Sequence, residues 1–117
     1  MATEKEMIFA ISTISEMEAL ENAVSKAIDE AMKMANTGDG GTCNFDECLL
    51  NVKIPKRLAN KSWLKLRKRE YGFYKGAYEI MDLPVYGQGN RRTRMVEAAC
   101  NSLRAQGYSA FVHYQMD

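Results

Sequence analysis

Between residues 13 and 35 the apolar side chains Met17, Leu20, Val24, Ala27, Ile28, Ala31 and Met32 recur three and four positions apart, which gathers them into one stripe of a helix. A long amphipathic helix is predicted there. Thr13 with Glu16 and Ser15 with Glu18 both fit the capping box that starts a helix, and Asn36 and Gly38 mark its end. Ahead of it, Met7 to Ile11 is apolar and short, and fits either a strand or the helix's lead-in. The segment 37–42 holds three glycines and reads as a loop. After it, Cys48, Leu50, Val52 and Ile54 alternate with Leu49, Asn51 and Lys53, the period of a half-buried strand, which Pro55 closes.

Residues 56–70 carry both periods, since Leu58, Trp63 and Leu66 suit a helix while Leu64 and Leu66 suit a strand; a short turn into a strand is the preferred reading. Residues 71–81 read as a strand with Tyr74, Gly76, Tyr78 and Ile80 on one face, and Pro84, Gly87 and Gly89 make 82–89 a loop. A second helix over 91–106 turns Met95, Val96, Ala99, Cys100 and Leu103 inward, with Asn90 as N-cap and Gly107 as its stop. The last strand, 108–116, alternates Tyr108, Ala110, Val112 and Tyr114 against Ser109, Phe111 and His113. The expected architecture is an α+β fold: two helices packed on a mostly antiparallel sheet, in the order helix-strand-strand-helix-strand, as a single domain over 1–117.

With 117 residues, 46% of them hydrophobic and 26% charged, the composition fits one globular core and excludes disordered, collagen-like and tandem-domain chains. The odd count of cysteines (Cys43, Cys48, Cys100), without a C-x-x-C pair and with a single histidine, points to free thiols in a reducing compartment rather than a zinc site. No apolar run is long enough to span a membrane, and the acidic start lacks the features of a signal peptide, so a soluble cytoplasmic protein is expected. The net charge of +1 conceals a division. Residues 1–54 hold ten acidic and four basic side chains, and residues 55–117 hold five acidic and twelve basic, giving −6 and +7. The basic half should face an anion, or the acidic half of a second copy packed head to tail.

The most informative segment is Tyr86-Gly-Gln-Gly-Asn-Arg-Arg-Thr-Arg94, a glycine loop running into a helix start that bears three arginines. Cations at that end oppose the helix dipole unless an anion compensates them. Free backbone amides, the dipole and guanidinium groups together describe a phosphate site, in which Gly87 and Gly89 allow close backbone approach and Gln88, Asn90 and Thr93 can read hydroxyls or base edges. The segment is neither a Walker A loop nor G-x-G-x-x-G, and no cofactor is implied. The opposing account is a solvated helix start with its arginines turned outward. A second basic run, Lys53, Lys56, Arg57, Lys61, Lys65, Arg67, Lys68 and Arg69, is interleaved with Trp63 and followed by Tyr71, Phe73 and Tyr74. It suits a stacked base with phosphates nearby, although Trp63 and Phe73 are expected in the core or in a dimer interface.

Catalytic patterns are sparse. His113 is expected on the strand face opposite Val112, Cys100 lies on a core stripe, and Glu70, Glu79, Asp82 and Glu97 show no pairing suited to acid–base work. Asp46 and Glu47 could hold a metal, but a turn beside Phe45 accounts for them equally. Binding without turnover is the expectation.

The segments Asn44-Phe-Asp-Glu-Cys-Leu-Leu50, Tyr86 to Arg94 and Gly107-Tyr-Ser-Ala-Phe-Val-His-Tyr-Gln-Met-Asp117 resemble the phage Thoeris anti-defence sponge family in length, element order and loop-to-helix segment. The resemblance implies non-catalytic sequestration of cyclic ADP-ribose isomers, in some members also cyclic oligonucleotides, by a homodimer or larger homo-oligomer. By position it implies Asn90, Arg91 and Arg92 as binding residues beside Gln88 and Gly89, a ring from Tyr86 or Phe73 against adenine, and Arg57 or Arg104 on a phosphate. The rival expectation is a small inhibitor of anti-CRISPR type, or a nucleic-acid-binding module, whose basic residues spread over a face instead of converging on a pocket.

Overall fold

The computed structural model describes residues 9–34, 46–70, 72, 75–82 and 90–114. Among them the order is β1 (Phe9–Ala10), α1 (Ile14–Met32), β2 (Glu47–Leu50), β3 (Val52–Lys53), α2 (Lys56–Ala59), β4 (Leu66–Lys68), β5 (Tyr78–Ile80), α3 (Asn90–Ala105) and β6 (Ala110–His113). β4, β5, β2 and β6 form an antiparallel sheet in that order, and β1 pairs in parallel with β3. This is an α+β fold with helices on a mostly antiparallel sheet.

α1 begins as the capping chemistry requires. Thr13 Oγ1 accepts the Glu16 amide at 3.0 Å while the Glu16 carboxylate accepts the amides of Ser12 and Thr13. The alternative start at Ser15 and Glu18 is not used. Met17, Leu20, Ala23, Val24, Ala27 and Ala31 are buried on its inner face, and Met32, placed on the stripe by spacing, is 43% exposed in the last turn. α3 buries Met95, Val96, Ala99, Cys100 and Leu103 against α1 and the sheet. Truncating any of the large ones to alanine costs about 2–5 kcal/mol. α3 ends at Gly107, whose φ of +95° lets Tyr108 N–H reach the Leu103 carbonyl and Gly107 N–H reach that of Arg104, both at 3.0 Å. These are the paired bonds of a Schellman stop. At this end of α3, Gln106 Nε2 also donates to the Ala23 carbonyl in the middle of α1.

One reading left open for the strands is decided, and the others depart from expectation. The apolar lead-in contributes a strand, β1. The segment 48–54 is two strands: Asn51 N–H donates to the Ser109 carbonyl, and the chain then leaves the four-stranded sheet to pair with β1. Residues 56–70 hold a helical turn before β4, so among the described residues there are three helices rather than two, and besides the division of 48–54 the order gains β1, α2 and β4. Of the strand expected over 71–81 the described residues hold only β5, and Gly72 and Gly76 take φ of +84° and +96°, which an extended strand does not allow. Trp63 lies at the surface, 48% exposed, and Tyr114 emerges from the inward face beyond β6. α1 ends at Met32 with Lys33 as its C-cap, short of the end expected at Asn36 and Gly38; Asn36, the loop 37–42, and Met7, Tyr71 and Tyr74 lie outside the described residues.

Register sorts the sheet into two faces. Cys48 opposite Val112, Leu50 between Ala110 and Tyr78, and Ile80 beside Leu66 face the helices. Glu47 opposite His113, Leu49 between Phe111 and Glu79, and Glu79 beside Arg67 face away. Leu49 is nevertheless fully buried. Among the described residues no helix is long and apolar enough to cross a membrane.

Candidate functional site

α3 begins at Asn90, and its first turn contains no acidic residue. Arg91, Arg92 and Arg94 are each half-buried rather than turned into open solvent. The turn is braced from the start of β2. Arg92 Nε donates to the Asp46 carbonyl at 3.0 Å, and Thr93 Oγ1 donates to Asp46 Oδ2 at 2.8 Å. Asp46 is 3% exposed, so its carboxylate depends on such donors. It also places one negative charge beside the helix's positive end, against three guanidinium groups. The result is a fixed, cation-rich helix start. Thr93, expected to read ligand hydroxyls, spends its hydroxyl on Asp46.

Folding assembles a polar cluster on the sheet face away from the helices. Arg69 Nη1 meets Glu47 Oε1 at 2.6 Å, His113 Nδ1 lies 3.4 Å from the same oxygen, and Arg67 Nη2 meets Glu79 Oε1 at 2.6 Å. Burial pushes the Glu47 carboxyl above the usual carboxylate range, and the neighbouring Glu79 adds to the effect, while His113 and Arg69 oppose it. Glu79, for which the sequence signalled no pairing, thus has Arg67 as an ion partner and Glu47 as a neighbour. His113 does face away from the Val112 side, as expected, but it has a carboxylate partner there. Only the register of β2 with β6 brings Glu47 and His113 together, and nothing in the local pattern of either segment signals it. Cys48 and Cys100, from β2 and α3, meet in the core with sulfurs 2.8 Å apart, both as free thiols. Sharing a hydrogen bond with Cys100 and burial both push the Cys48 thiol far up. No group of three metal-ligating side chains occurs among the described residues, so Asp46 and Glu47 do not form part of one there.

The remaining candidates are dispersed. Arg104 is tied to the Ala110 carbonyl at 2.7 Å and to Asn101 Oδ1 at 3.2 Å, fastening the end of α3 to β6. It lies about 20 Å along the helix axis from Arg91. Arg57, on α2, points its Nη2 at the Ser12 carbonyl before α1, at 3.4 Å. Phe73, Tyr86, Gln88 and Gly89, and the side chain of Asn90, lie outside the described residues. In one copy, therefore, Arg91 and Arg92 belong together and Arg104 stands apart from them. Compared with known proteins, the chain matches no family model, no curated protein and no solved structure.

Proposed function

We propose that the chain captures a small phosphate-bearing cyclic nucleotide, of the cyclic ADP-ribose type implied by the resemblance to anti-defence sponges, and releases it unchanged. The observation that supports this reading is the first turn of α3: three half-buried arginines, no acidic residue in the turn, and a brace to Asp46 that fixes the turn before any ligand arrives. Preorganised donors of this kind bind phosphate without an ordering penalty. Capture is favoured over catalysis because the nearby carboxylates are committed, Asp46 to Thr93 and Glu47 to Arg69 and His113. In this reading Asn90, Arg91 and Arg92 hold the phosphates and a ring from Tyr86 or Phe73 stacks on the base. The protein acts in the cytoplasm as a homodimer or larger homo-oligomer. A ligand that met Arg91 and Arg104 together would have to be shared between copies, given their separation along α3.

The test loads the purified protein with cyclic ADP-ribose isomers and, separately, cyclic trinucleotides, denatures it by heat, and analyses the supernatant. Intact ligand returned from the wild type, with binding lost in an Arg91→Ala variant that still folds, is the expected result. A protein-dependent linear product refutes sequestration. Failure of every candidate to bind, alongside salt-sensitive binding of DNA or RNA, transfers the assignment to a nucleic-acid-binding module.

A further inference from the structure

The second basic run of the sequence is divided by the fold, and part of it converges on a cleft distant from α3's first turn. A cleft of about 450 Å³ opens between β3 and the β4–β5 hairpin, lined by Asn51, Lys53, Lys68, Lys75, Gly76 and Tyr78. Its volume lies within the range of small-molecule sites. Asn51 and Asp46 stand at opposite ends of β2, about 17 Å apart for an extended strand. The cleft and the α3 turn are therefore separate places.

Strand alternation explains why the cleft is cationic. Lys68 is the cross-strand partner of Tyr78 and shares its face, while Arg67 is the partner of Glu79 on the other face. Of the carboxylates near the hairpin, Glu47 and Glu79 are thereby turned to the far side, where Arg69 and Arg67 take them, and Glu70, exposed next to Arg69, forms no ion pair with the lysines among the described residues. Lys53, Lys68 and Lys75 pair with no carboxylate among the described residues. They come from three separate segments, so no single local pattern places them together. Bringing like charges to one cleft is unfavourable unless a ligand of opposite charge is bound.

The other lining groups narrow the ligand. Tyr78 is half-buried and packs against the core, which fixes its ring at the edge of the cleft. Asn51, also half-buried, supplies an amide that both donates and accepts. At Gly76 a Cβ would meet nothing within 4 Å, so the space above that backbone is open to a ligand. An anchored ring, an amide and three ammonium groups complement a base, a hydroxylated sugar and a chain of phosphates. We propose that this cleft is a second anion site, built for a nucleoside polyphosphate, with the phosphates on Lys53, Lys68 and Lys75 and the base against Tyr78. A small ligand is favoured over a nucleic-acid strand because these lysines converge, whereas other members of the basic run go elsewhere: Lys61 borders a groove with Ile14 and Leu58, and Arg57 reaches Ser12.

The test is isothermal titration of the full-length protein in low-salt, EDTA-containing buffer with ATP, tripolyphosphate, adenosine and a single-stranded oligonucleotide lacking a terminal phosphate. ATP binding more tightly than tripolyphosphate, with no binding of adenosine, is expected. Lys68→Gln combined with Lys75→Gln should weaken ATP by about tenfold or more, at a melting temperature close to that of the wild type because both side chains are exposed. The part of ATP affinity that depends on Lys68 and Lys75 should persist in Arg91→Ala, which separates this site from the one under Proposed function. Equal affinity for ATP and tripolyphosphate overturns the nucleoside assignment. Insensitivity to the lysine substitutions overturns the site, and salt-dependent oligonucleotide binding that ATP does not displace replaces it with a nucleic-acid surface.

Discussion

Replacing Thr93 by valine exchanges one hydroxyl for a methyl group at nearly constant shape, and tests whether the first turn of α3 is held by Asp46. In the wild type the hydroxyl donates to Asp46 Oδ2 at 2.8 Å, and Asp46 is almost wholly buried. A hydrogen bond to a charged, desolvated acceptor contributes about 1.5–3 kcal/mol. For a chain of 117 residues the unfolding entropy is about 0.25 kcal/mol per degree, so Thr93→Val should lower the melting temperature by about 6–12 °C. Thermal unfolding followed by circular dichroism measures it. Thr93→Ser keeps the donor and should recover most of the loss, and a double-mutant cycle with Asp46→Asn isolates the coupling. Ligand capture should weaken in the valine variant, because Arg91 and Arg92 sit on the turn that the bond steadies. Equal melting of the valine and serine variants would refute this reasoning, and so would a cycle with no coupling. Arg92 is itself bonded to the Asp46 carbonyl, so Arg92→Ala is expected to cost stability as well as binding.

Other perturbations follow from the same geometry. Burial and Glu79 raise the Glu47 carboxyl, so Glu47 favours the folded state below its unfolded value and that contribution is lost as pH rises through the raised one; Glu47→Gln should melt above wild type at pH 7.5, with the gap closing toward pH 4, and a lower melting point at pH 7.5 would show that the Arg69 ion pair outweighs burial. Gly107→Ala places a Cβ at φ +95° and should lose about 1 kcal/mol, roughly 4 °C, in the same assay, with no loss meaning that the helix stop relaxes freely. In a Cys43→Ser background, Cys48 and Cys100 should resist a thiol-specific disulfide reagent in native buffer and react together on unfolding, because both are buried and Cys48 is held protonated; fast native labelling would show that the contact between β2 and α3 opens.

The parts of the fold legible in the sequence are those fixed by neighbours along the chain. Thr13 and Glu16 stand three residues apart, and Gly107 directly follows Gln106 at the end of α3, so α1's start and α3's stop could be read from local chemistry. The arginine-bearing turn was legible for the same reason, as a string of cations at a helix start. Contacts set by register were not. Glu47 and His113 are 66 residues apart, and a one-residue slip of β6 against β2 would turn them to opposite faces. Alternation over 71–81 was a true pattern with a false consequence, because Gly72 and Gly76 satisfied the period while taking backbone angles that end a strand. At Asn51 the alternation continued while the pairing partner changed, which a period of two does not register.

The division of charge along the sequence is partly undone by folding, and this changes what the basic residues are available to do. Glu47, from the acidic half, is taken by Arg69 from the basic half, while the Asp46 carboxylate accepts from the Thr93 hydroxyl and the Asp46 main-chain carbonyl from Arg92. Lys53, nominally in the acidic half, is carried by β3 to the cleft with Lys68 and Lys75. The basic residues are therefore not one uniform half of the chain: some gather at a braced turn of α3 and others in a lysine cleft at the β3–β5 corner. A small anion meets either without rearranging the fold, and this favours ligand capture over charge-driven assembly as the reason for the basic residues.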